Sequence, residues 1–268
     1  MRAYLQKGGR PITIKRILDK IHLGILDTLY PNNAFCGVYE NFEQATNAAP
    51  KVKPTGYDSA NSQEWYNNKL KDLLLEDYPV LFWLRTALQD SHSLFEIGGH
   101  VGEAFYAFSR VLSYPPDLQW TILDVPSINA WGRDLAEKRG KTNLHFVEHV
   151  NQVDGADIVF AAGSLQYIDQ PSLPGMIAAF RHKPKHILIN ITPVYDGPSF
   201  VTVQNIGTVY CPYRVFNREE LISALDKLGY ALIDSWKKPR VFRIKWHPEC
   251  YFENYSGFYF RMRSFPGR

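Results

Sequence analysis

Residues 94–105 read LFEIGGHVGEAF, an apolar run that closes on an acidic residue and is followed by three glycines. Glu96 lies near the end of the run, and Gly98, Gly99 and Gly102 follow within six positions. Glycine permits a positive φ and lets a ligand approach the backbone closely. A helix that begins after such a turn offers free N–H groups and the positive end of its dipole. The stretch therefore predicts a strand, a tight turn and a helix, with a ligand bound at the turn.

The sequence around this stretch alternates short apolar runs with helix-like segments. Strands are predicted over residues 93–97, 119–124, 144–148, 157–163, 185–191, 230–236 and 257–263. Helices are predicted over residues 102–113, 127–139, 172–181 and 217–228. Apolar strands that alternate with helices are typical of a parallel sheet covered on both faces. No helix is predicted between the last two strands, so they are expected to form an antiparallel hairpin with a long insert over residues 237–256.

Two of these helices carry start signals. Ser127 follows Pro126 and is predicted to cap the second helix. Asn217, with Glu220 three residues later, makes a start like a capping box for the fourth helix.

The first 90 residues differ in pattern from the rest. Residues 1–90 are predicted to be a helical extension that closes over the ligand, and residues 91–268 to form the sheet domain. Apolar residues recur at helical spacing over 12–30 and 64–89, and Pro79 is expected to kink or divide the second stretch. The basic residues within 12–30 make that helix a candidate for contact with a membrane surface. Packing on the domain, or on a partner subunit of a homo-oligomer, is the more common role for such a helix.

The composition argues against several classes of protein. Of the 268 residues, 45% are apolar and 21% are charged, which predicts a globular chain with a sizeable core. A net charge of +3 without runs of like charge gives no sign of nucleic-acid binding. Three widely spaced cysteines fit neither a disulfide framework nor a zinc site, so a cytoplasmic protein without a metal is expected. No apolar stretch is long enough to span a membrane.

Acidic residues end three successive predicted strands. Glu96 lies at the end of the first, Asp124 of the second and Glu148 of the third. The carboxyl ends of parallel strands meet at one edge of a sheet, where gathered carboxylates cost free energy unless a cation or hydrogen-bond donors lie among them. S-adenosylmethionine is such a ligand, because it carries a sulfonium, an ammonium and a ribose diol and has no phosphate. Asp124 lies about 20 residues beyond the glycines, where a carboxylate can accept both ribose hydroxyls.

The glycine spacing disfavours a dinucleotide. The NAD fingerprint G-x-G-x-x-G, begun at Gly98, needs glycines at positions 100 and 103, where the chain has His100 and Glu103. An acid two positions before the first glycine would also lie unfavourably beside a pyrophosphate. A nicotinamide oxidoreductase is therefore the weaker alternative. A non-catalytic protein that keeps the fold as a binding or scaffolding module is another alternative.

These motifs resemble those of the class I S-adenosylmethionine-dependent methyltransferases. Glu96, Gly98 and Gly102 match the motif acid-x-Gly-x-Gly-x-Gly, with His100 in place of the middle glycine. The stretch WTILDVPSI (120–128) resembles the second motif of small-molecule O-methyltransferases, and DIVFAAGSLQYI (157–168) resembles their fourth strand and the turn after it. The resemblance implies a Rossmann-like α/β fold, with a seven-stranded, mostly parallel sheet, an antiparallel last strand and a helical N-terminal extension.

A narrower resemblance includes residues upstream of the sheet. FCGVYENFEQA (35–45) and GYD (56–58), followed by FEIGGHVG, are similar to a methyltransferase family often found with surface-polysaccharide biosynthesis genes. The resemblance covers roughly residues 35–263, and members carry a Gly-Gly turn like this one. It implies an S-adenosylmethionine-dependent methyltransferase of the EC 2.1.1 class that methylates a hydroxyl of a small molecule, a sugar or a glycan precursor.

The resemblance also implies roles for individual residues. Glu96 would orient the methionine amino group of the cofactor, Asp124 would hold the ribose hydroxyls, and Glu148 or its neighbour would reach the adenine edge. Tyr57 is expected to close over the methionine end. The other predicted cofactor-binding residues are Gly98, Gly99, His100, Gly102, Val125, Ala162 and Ser164.

The catalytic predictions rest on position in the fold. A hydroxyl acceptor needs a base in reach, and the residues that follow the fourth and fifth strands are the best placed. Tyr167 and Asp169 are predicted to be catalytic, as is His247 in the insert between the last two strands, where aromatic residues could stack on a sugar or simply cover the core. Nothing in the spacing of the histidines indicates a metal site. Further candidates are Gln166, Tyr195 and Asp196.

Overall fold

The computed structural model describes residues 5–6, 11–12, 17–19, 21, 34–56 and 72–263. The chain divides into two compact units. The sheet unit comprises residues 58–196, 216–239 and 254–268, and the N-terminal unit comprises residues 1–57, 197–215 and 240–253. The lid role expected of residues 1–90, and their boundary with residues 91–268, stay predictions.

The described part of the chain contains both strands and helices, numbered in chain order. The strands are β1 (Leu5–Gln6), β2 (Pro11–Ile12), β3 (Ala34–Tyr39), β4 (Ser93–Ile97), β5 (Gln119–Leu123), β6 (Leu144–Val147), β7 (Ile158–Ala162), β8 (His186–Thr192), β9 (Val194–Tyr195), β10 (Phe200–Asn205), β11 (Tyr210–Asn217), β12 (Tyr230–Ile244) and β13 (His247–Met262). The helices are α1 (Phe42–Ala48), α2 (Tyr78–Ala87), α3 (Glu103–Phe108), α4 (Pro126–Lys138), α5 (Leu173–Ala179) and α6 (Arg218–Lys227). Single 3₁₀ turns cover Leu75–Asp77, Val150–Gln152 and Leu165–Tyr167.

Seven strands form the main sheet, in the order β6-β5-β4-β7-β8-β13-β12. The five strands from β6 to β8 are parallel to their neighbours, and β13 is antiparallel to β8. Each of these five strands lies within one residue, at each end, of its predicted bounds. The predicted seven-stranded, mostly parallel sheet with an antiparallel last strand is confirmed.

Both faces of this sheet are buried, as its continuously apolar strands predict. In β7, Ile158 and Phe160 belong to one core cluster, while Val159 and Ala161 belong to another. Successive side chains of a strand point to opposite faces, so a strand covered on both sides must be apolar at every position. Helices α2, α3 and α4 contribute to the first cluster, and α5 and α6 contribute to the second.

The two predicted helix starts have different outcomes. Asn217 caps α6, since its Oδ1 accepts the Glu220 N–H at 2.7 Å, as predicted. Ser127 does not cap α4, because that helix begins at Pro126 and its N-cap residue is Val125, which makes no side-chain hydrogen bond. Proline is favoured at the first helical position, where its missing N–H costs nothing. The prediction for Ser127 was wrong because it placed the proline outside the helix.

The helices expected near the N-terminus are described only in part. Of residues 12–30, the structure describes 12, 17–19 and 21, and Ile17–Asp19 are helical. Of residues 64–89, those before 72 lie outside the described part, and α2 covers the end of the prediction. Pro79 lies in the first turn of α2, so it marks a helix start instead of a kink. None of the helices that the structure describes is long and apolar enough to cross a lipid bilayer.

The end of the chain differs most from the prediction. Residues 237–256 are not an insert, because β12 continues to Ile244 and β13 begins at His247, so the two strands form one long hairpin. A further set of strands was not predicted: β10 pairs antiparallel with both β3 and β11. The core of the N-terminal unit is formed by residues of β3, α1, β10 and β11, with Ala49.

Gly257 provides a test of packing in the sheet unit. A Cβ at this position would overlap the indole ring of Trp236. We expect Gly257→Ala to lower the free energy of unfolding by about 1–3 kcal/mol, the usual cost of overpacking a core. Urea denaturation measures the difference.

Gly175→Ala is the matched control. Gly175 lies within α5, and a Cβ there would meet its neighbours at ordinary distances of 3.4 and 3.6 Å. Because alanine is the better helix former, this variant should be as stable as the wild type or more stable. Equal destabilisation of both variants would contradict the close packing of Trp236 on Gly257.

Candidate active site

The glycine turn lies where the carboxyl ends of β4, β5 and β7 meet. Gly98 has φ +71° and its N–H donates to the Leu123 carbonyl at 2.7 Å. A Cβ on Gly98 would overlap the Cβ of Ser164, whose hydroxyl donates to the Ile97 carbonyl. Gly102 has φ +96° and is the N-cap residue of α3. Glycine is therefore needed at position 98 for close packing against Ser164 and at position 102 for the left-handed backbone that starts α3.

The carboxyl group of Glu96 lies beneath this turn. Glu96 is 3% exposed, and its Oε2 accepts the Trp120 indole N–H at 2.8 Å. A Cβ on Gly99 would overlap the Glu96 carboxyl carbon, so position 99 must also be a glycine. Burial raises the pKa of Glu96 from 4.5 to about 8. The indole hydrogen bond acts against this shift, and repulsion from Glu103 and Asp124 adds to it.

Asp124 is held in place by two backbone N–H groups. Its Oδ2 accepts the His100 N–H and its Oδ1 accepts the Val125 N–H, each at 2.8 Å. Burial raises the pKa of Asp124, and the two hydrogen bonds partly offset that rise. A carboxylate oxygen can accept two hydrogen bonds, so each oxygen retains the capacity to accept one from a ligand hydroxyl. This arrangement suits the ribose diol for which Asp124 is predicted.

His100 occupies the position of the middle glycine in the motif and keeps a glycine-like backbone, with φ +54°. Its ring contacts Trp131 edge to face, with ring centroids 5.6 Å apart. Its Nδ1 lies 3.6 Å from Glu103 Oε1. A left-handed conformation costs a non-glycine residue about 1–2 kcal/mol, so these contacts and the Asp124 hydrogen bond hold the turn against that cost.

Glu103 is a further acid near the turn, which the strand-end pattern did not include. Glu103 lies in the first turn of α3 and raises the pKa of Glu96 by repulsion. Glu148 is exposed and pairs with Arg133, with 3.1 Å between Oε1 and Nη2. The signal for Glu103 was its place just after the glycines, which the sequence analysis used only as an argument against NAD. The proposed contact of Glu148 with adenine stays a prediction.

Asn129 was missed by the sequence analysis. Its Nδ2 donates to the carbonyls of Asp124 and Val147, at 2.9 and 2.8 Å, and so joins the ends of β5 and β6. Its Oδ1 and the hydroxyl of Ser127 are buried and make no hydrogen bond among the described residues. A fully buried asparagine five residues after the strand-end aspartate is the signal that could have found it.

The segment after β7 presents a further buried polar atom for which the structure describes no hydrogen-bond partner. Gln166 is buried, and its Nε2 donates to the Gly163 carbonyl at 2.6 Å. Its Oε1 is buried and has no hydrogen-bond partner in the described part of the chain. A Cβ on Gly163 would lie 3.8 Å from Ile191, a β-branched residue with φ +52°. Strained residues of this kind gather at functional sites.

The remaining predicted residues lie in different parts of the chain. Ala162 ends β7, Tyr167 lies half-buried in the 3₁₀ turn that follows, and Asp169 is exposed just beyond it. His247 belongs to the N-terminal unit, where its Nε2 lies 3.0 Å from Asp19 Oδ2 and its Nδ1 lies 3.3 Å from Glu249 Oε1. Its catalytic role stays a prediction. Tyr57 lies outside the described residues.

Comparison with known proteins gives matches in structure alone. No protein-family model matches this chain, and no curated protein matches it in sequence. Its fold resembles that of Burkholderia thailandensis 1,6-didemethyltoxoflavin-N1-methyltransferase, solved with 1,6-didemethyltoxoflavin and S-adenosylhomocysteine. The two chains are 18% identical with a TM-score of 0.51, over 76% of this chain and 83% of that one. Magnesium protoporphyrin IX methyltransferase from Synechocystis PCC 6803, solved with bound SAH, is 10% identical with a TM-score of 0.50, over 76% of this chain and 95% of that one.

The chain has the Rossmann-like class I methyltransferase fold. In this fold the chain builds outward from β4 through β5 to β6, then returns to place β7 on the other side of β4. Ligands of open α/β sheets bind at such a switch point, outside the carboxyl ends of the strands. The glycine turn, Glu96 and Asp124 all lie there.

Glu96→Gln should change how stability depends on pH. Between pH 4.5 and about 8, the folded state keeps a proton on Glu96 that the unfolded state has lost. The free energy of unfolding should therefore fall as pH rises through this window, by up to about 1.4 kcal/mol per pH unit. Glutamine keeps the acceptor for Trp120 and cannot titrate, so the variant should lack this fall. Urea denaturation from pH 5 to 8 compares the two proteins, with the exposed Glu137→Gln as the control. Parallel curves for all three would contradict the burial of Glu96.

His100 variants should separate backbone strain from side-chain contacts. His100→Gly and His100→Ala both remove the contacts with Trp131 and Glu103, but only glycine removes the strain of a positive φ. We expect the glycine variant to be more stable than the alanine variant by about 1 kcal/mol, measured by thermal or urea unfolding. If alanine is equally stable, the turn does not hold position 100 in the left-handed region.

Proposed function

We propose that this chain binds S-adenosylmethionine and transfers its methyl group, in the cytoplasm, to a hydroxyl of a small molecule, a sugar or a glycan precursor. The observation that supports this cofactor is a pair of carboxyl groups, buried Glu96 and half-buried Asp124, beside a glycine turn at the switch point of a class I sheet. Two proteins with this fold were solved with S-adenosylhomocysteine, which supports the same choice. The acceptor class rests on the resemblance in sequence alone.

The residues at the turn fit the parts of this cofactor. Asp124 is fixed by two N–H groups and can still accept the ribose hydroxyls. Val125 is half-buried beside it and offers an apolar surface to the adenine. Gly98 and Gly99 let the backbone lie directly against Ser164 and Glu96, which fixes the turn beside which the methionine part is proposed to bind. Glu96 lies behind Gly99, so it would act on the ligand through the turn, and through its charge once a bound cation lowers its pKa.

The charges at the turn favour a cationic ligand. Glu96, Glu103 and Asp124 lie close enough for the last two to raise the pKa of the first. A sulfonium and an ammonium would stabilise ionised carboxyl groups there and lower their pKa values. A pyrophosphate would add negative charge to the same place. This is the electrostatic reason to prefer S-adenosylmethionine over a dinucleotide.

Gln166 is proposed to orient the acceptor. S-adenosylmethionine supplies the electrophilic methyl group, and the work of the protein is to hold the acceptor in line and to exclude water. The bond from Gln166 Nε2 to the Gly163 carbonyl fixes the amide, which leaves Oε1 as an acceptor for a hydroxyl hydrogen. Tyr167 and Asp169 are the next polar residues along the chain. The exposed Asp169 carboxylate is proposed to pass the released proton to solvent.

Calorimetric titration tests the cofactor part of the proposal. S-adenosylmethionine and S-adenosylhomocysteine should both bind the wild type with micromolar affinity. Asp124→Ala should weaken binding at least about tenfold, or about 1.4 kcal/mol, because the ribose hydroxyls lose their acceptor.

Asp134→Ala is the control for this experiment. Asp134 lies on the exposed side of α4 and pairs with Lys138, so its removal should leave the affinity unchanged. No heat for either ligand, from wild-type protein shown to be folded, would contradict the proposed function. Binding without methyl transfer to any hydroxyl acceptor would instead indicate a binding module that keeps the fold.

A further inference from the structure

Positive charge is concentrated in the N-terminal unit. Its three segments carry twelve Lys and Arg residues against six Asp and Glu residues, a net charge of +6. The whole chain carries +3, so the segments of the sheet unit carry −3. Such an asymmetry is typical of proteins that meet an anionic surface with one part of the chain.

A tryptophan lies exposed at the end of the long hairpin, within this positive unit. β12 ends at Ile244 and β13 begins at His247, so residues 245 and 246 form the turn. Trp246 has φ +71° and is 46% exposed. The Lys245 ammonium lies 5.1 Å from the centre of its ring. An indole that is held in solvent by a strained turn, with a cation over its face, contributes little to the protein core.

Further exposed residues near this turn are also apolar or basic. Phe242 points inward and stacks on Phe252, with ring centroids 4.7 Å apart. The alternate positions of β12 point to solvent instead, and Tyr251 on β13 is exposed as well. We call residues 241–251 the hairpin tip. Its exposed apolar and basic side chains are Val241, Arg243, Lys245, Trp246 and Tyr251.

A buried contact between a histidine and a carboxyl group joins the hairpin tip to the N-terminal helical segment. His247 Nε2 lies 3.0 and 3.2 Å from the two carboxylate oxygens of Asp19, and both side chains are buried. Ile17 and Ile21 are 40% and 59% exposed, while Asp19 between them is buried. The segment therefore places two isoleucines in solvent while its aspartate is held by the hairpin tip.

The acidic residues of the hairpin tip and its flank have local partners. Glu249 lies 3.3 Å from His247 Nδ1, and Glu253 accepts the Tyr251 hydroxyl at 2.8 Å. Arg243 and Lys245 thus provide basic charge that is exposed to solvent beside the indole.

We propose that the hairpin tip, together with Ile17 and Ile21, binds the surface of an anionic phospholipid bilayer. Tryptophan and tyrosine favour the boundary between lipid and water, since their rings are apolar and carry a polar group. Lysine and arginine beside them can contact lipid phosphates while their aliphatic stems cover apolar surface. Nucleic acid would favour a patch or stripe of clustered lysine and arginine, whereas this surface combines two basic residues with exposed apolar ones.

Vesicle sedimentation with the full chain tests this surface. The probes are vesicles of phosphatidylcholine alone and vesicles of phosphatidylcholine and phosphatidylglycerol in equal amounts. We expect the wild type to sediment with the second kind only, and to be released by high salt because the attraction is partly electrostatic. Trp246→Asn should reduce the bound fraction about tenfold. Asparagine tolerates the left-handed conformation, so the turn should be retained.

Two further variants complete the experiment. Phe82→Ala removes an even more exposed aromatic residue from α2 in the sheet unit and should bind vesicles like the wild type. Arg243→Glu combined with Lys245→Glu should abolish binding while the melting temperature stays unchanged. The proposal would be overturned by absence of binding to anionic vesicles or by equal losses in Trp246→Asn and Phe82→Ala. Light scattering provides the alternative outcome. If the wild type is a dimer that does not bind vesicles, and Trp246→Asn disrupts the dimer, this surface binds a second copy of the chain instead. None of these outcomes depends on whether S-adenosylmethionine binds.

Discussion

The carboxyl group of Glu96 is enclosed by protein, and the arrangement of the site depends on that burial. A buried carboxyl group without a hydrogen-bond donor is costly, and the donor to Glu96 is Trp120, which comes from the adjacent strand β5. Trp120 is itself buried in the core between the sheet and its helices. The end of β4 is thereby locked to β5, and the backbone at Gly99 lies directly against the carboxyl group.

The conformation of the rest of the turn is determined by residues that follow the neighbouring strands β7 and β5. Ser164, after β7, occupies the space that a side chain on Gly98 would need. Asp124, after β5, holds the backbone of His100 in a conformation that histidine rarely adopts. Three adjoining strands thus each fix one residue of the turn. A ligand at this edge would meet backbone whose shape is already determined, and such preorganisation reduces the entropy lost on binding.

Much of the sheet unit could be predicted from the sequence, because its signals are local. Continuous apolar runs mark the parallel strands, and Asn217 with Glu220 marks a helix start. Gln166 was a candidate from its place after the fourth strand, but its fixed amide could not be predicted, and Asn129 was missed. The hydrogen bonds of both residues depend on carbonyl groups that only the folded chain brings into reach. The length of the hairpin was missed since Lys237, Lys238 and Pro239 are typical of a loop. Proline is tolerated there because β12 is an edge strand.

The N-terminal unit is assembled from three separate segments of the chain, and this has a consequence for how the protein folds. Strand β3 is synthesised early, but β10, β11 and the outer part of β12 and β13 follow more than 150 residues later. The partners of β3 therefore do not exist while most of the parallel sheet is being made. Contacts so distant in sequence form slowly. During synthesis β3 stays without its partner strand until β10 has been made, and an unpaired strand edge at that stage can pair with other chains.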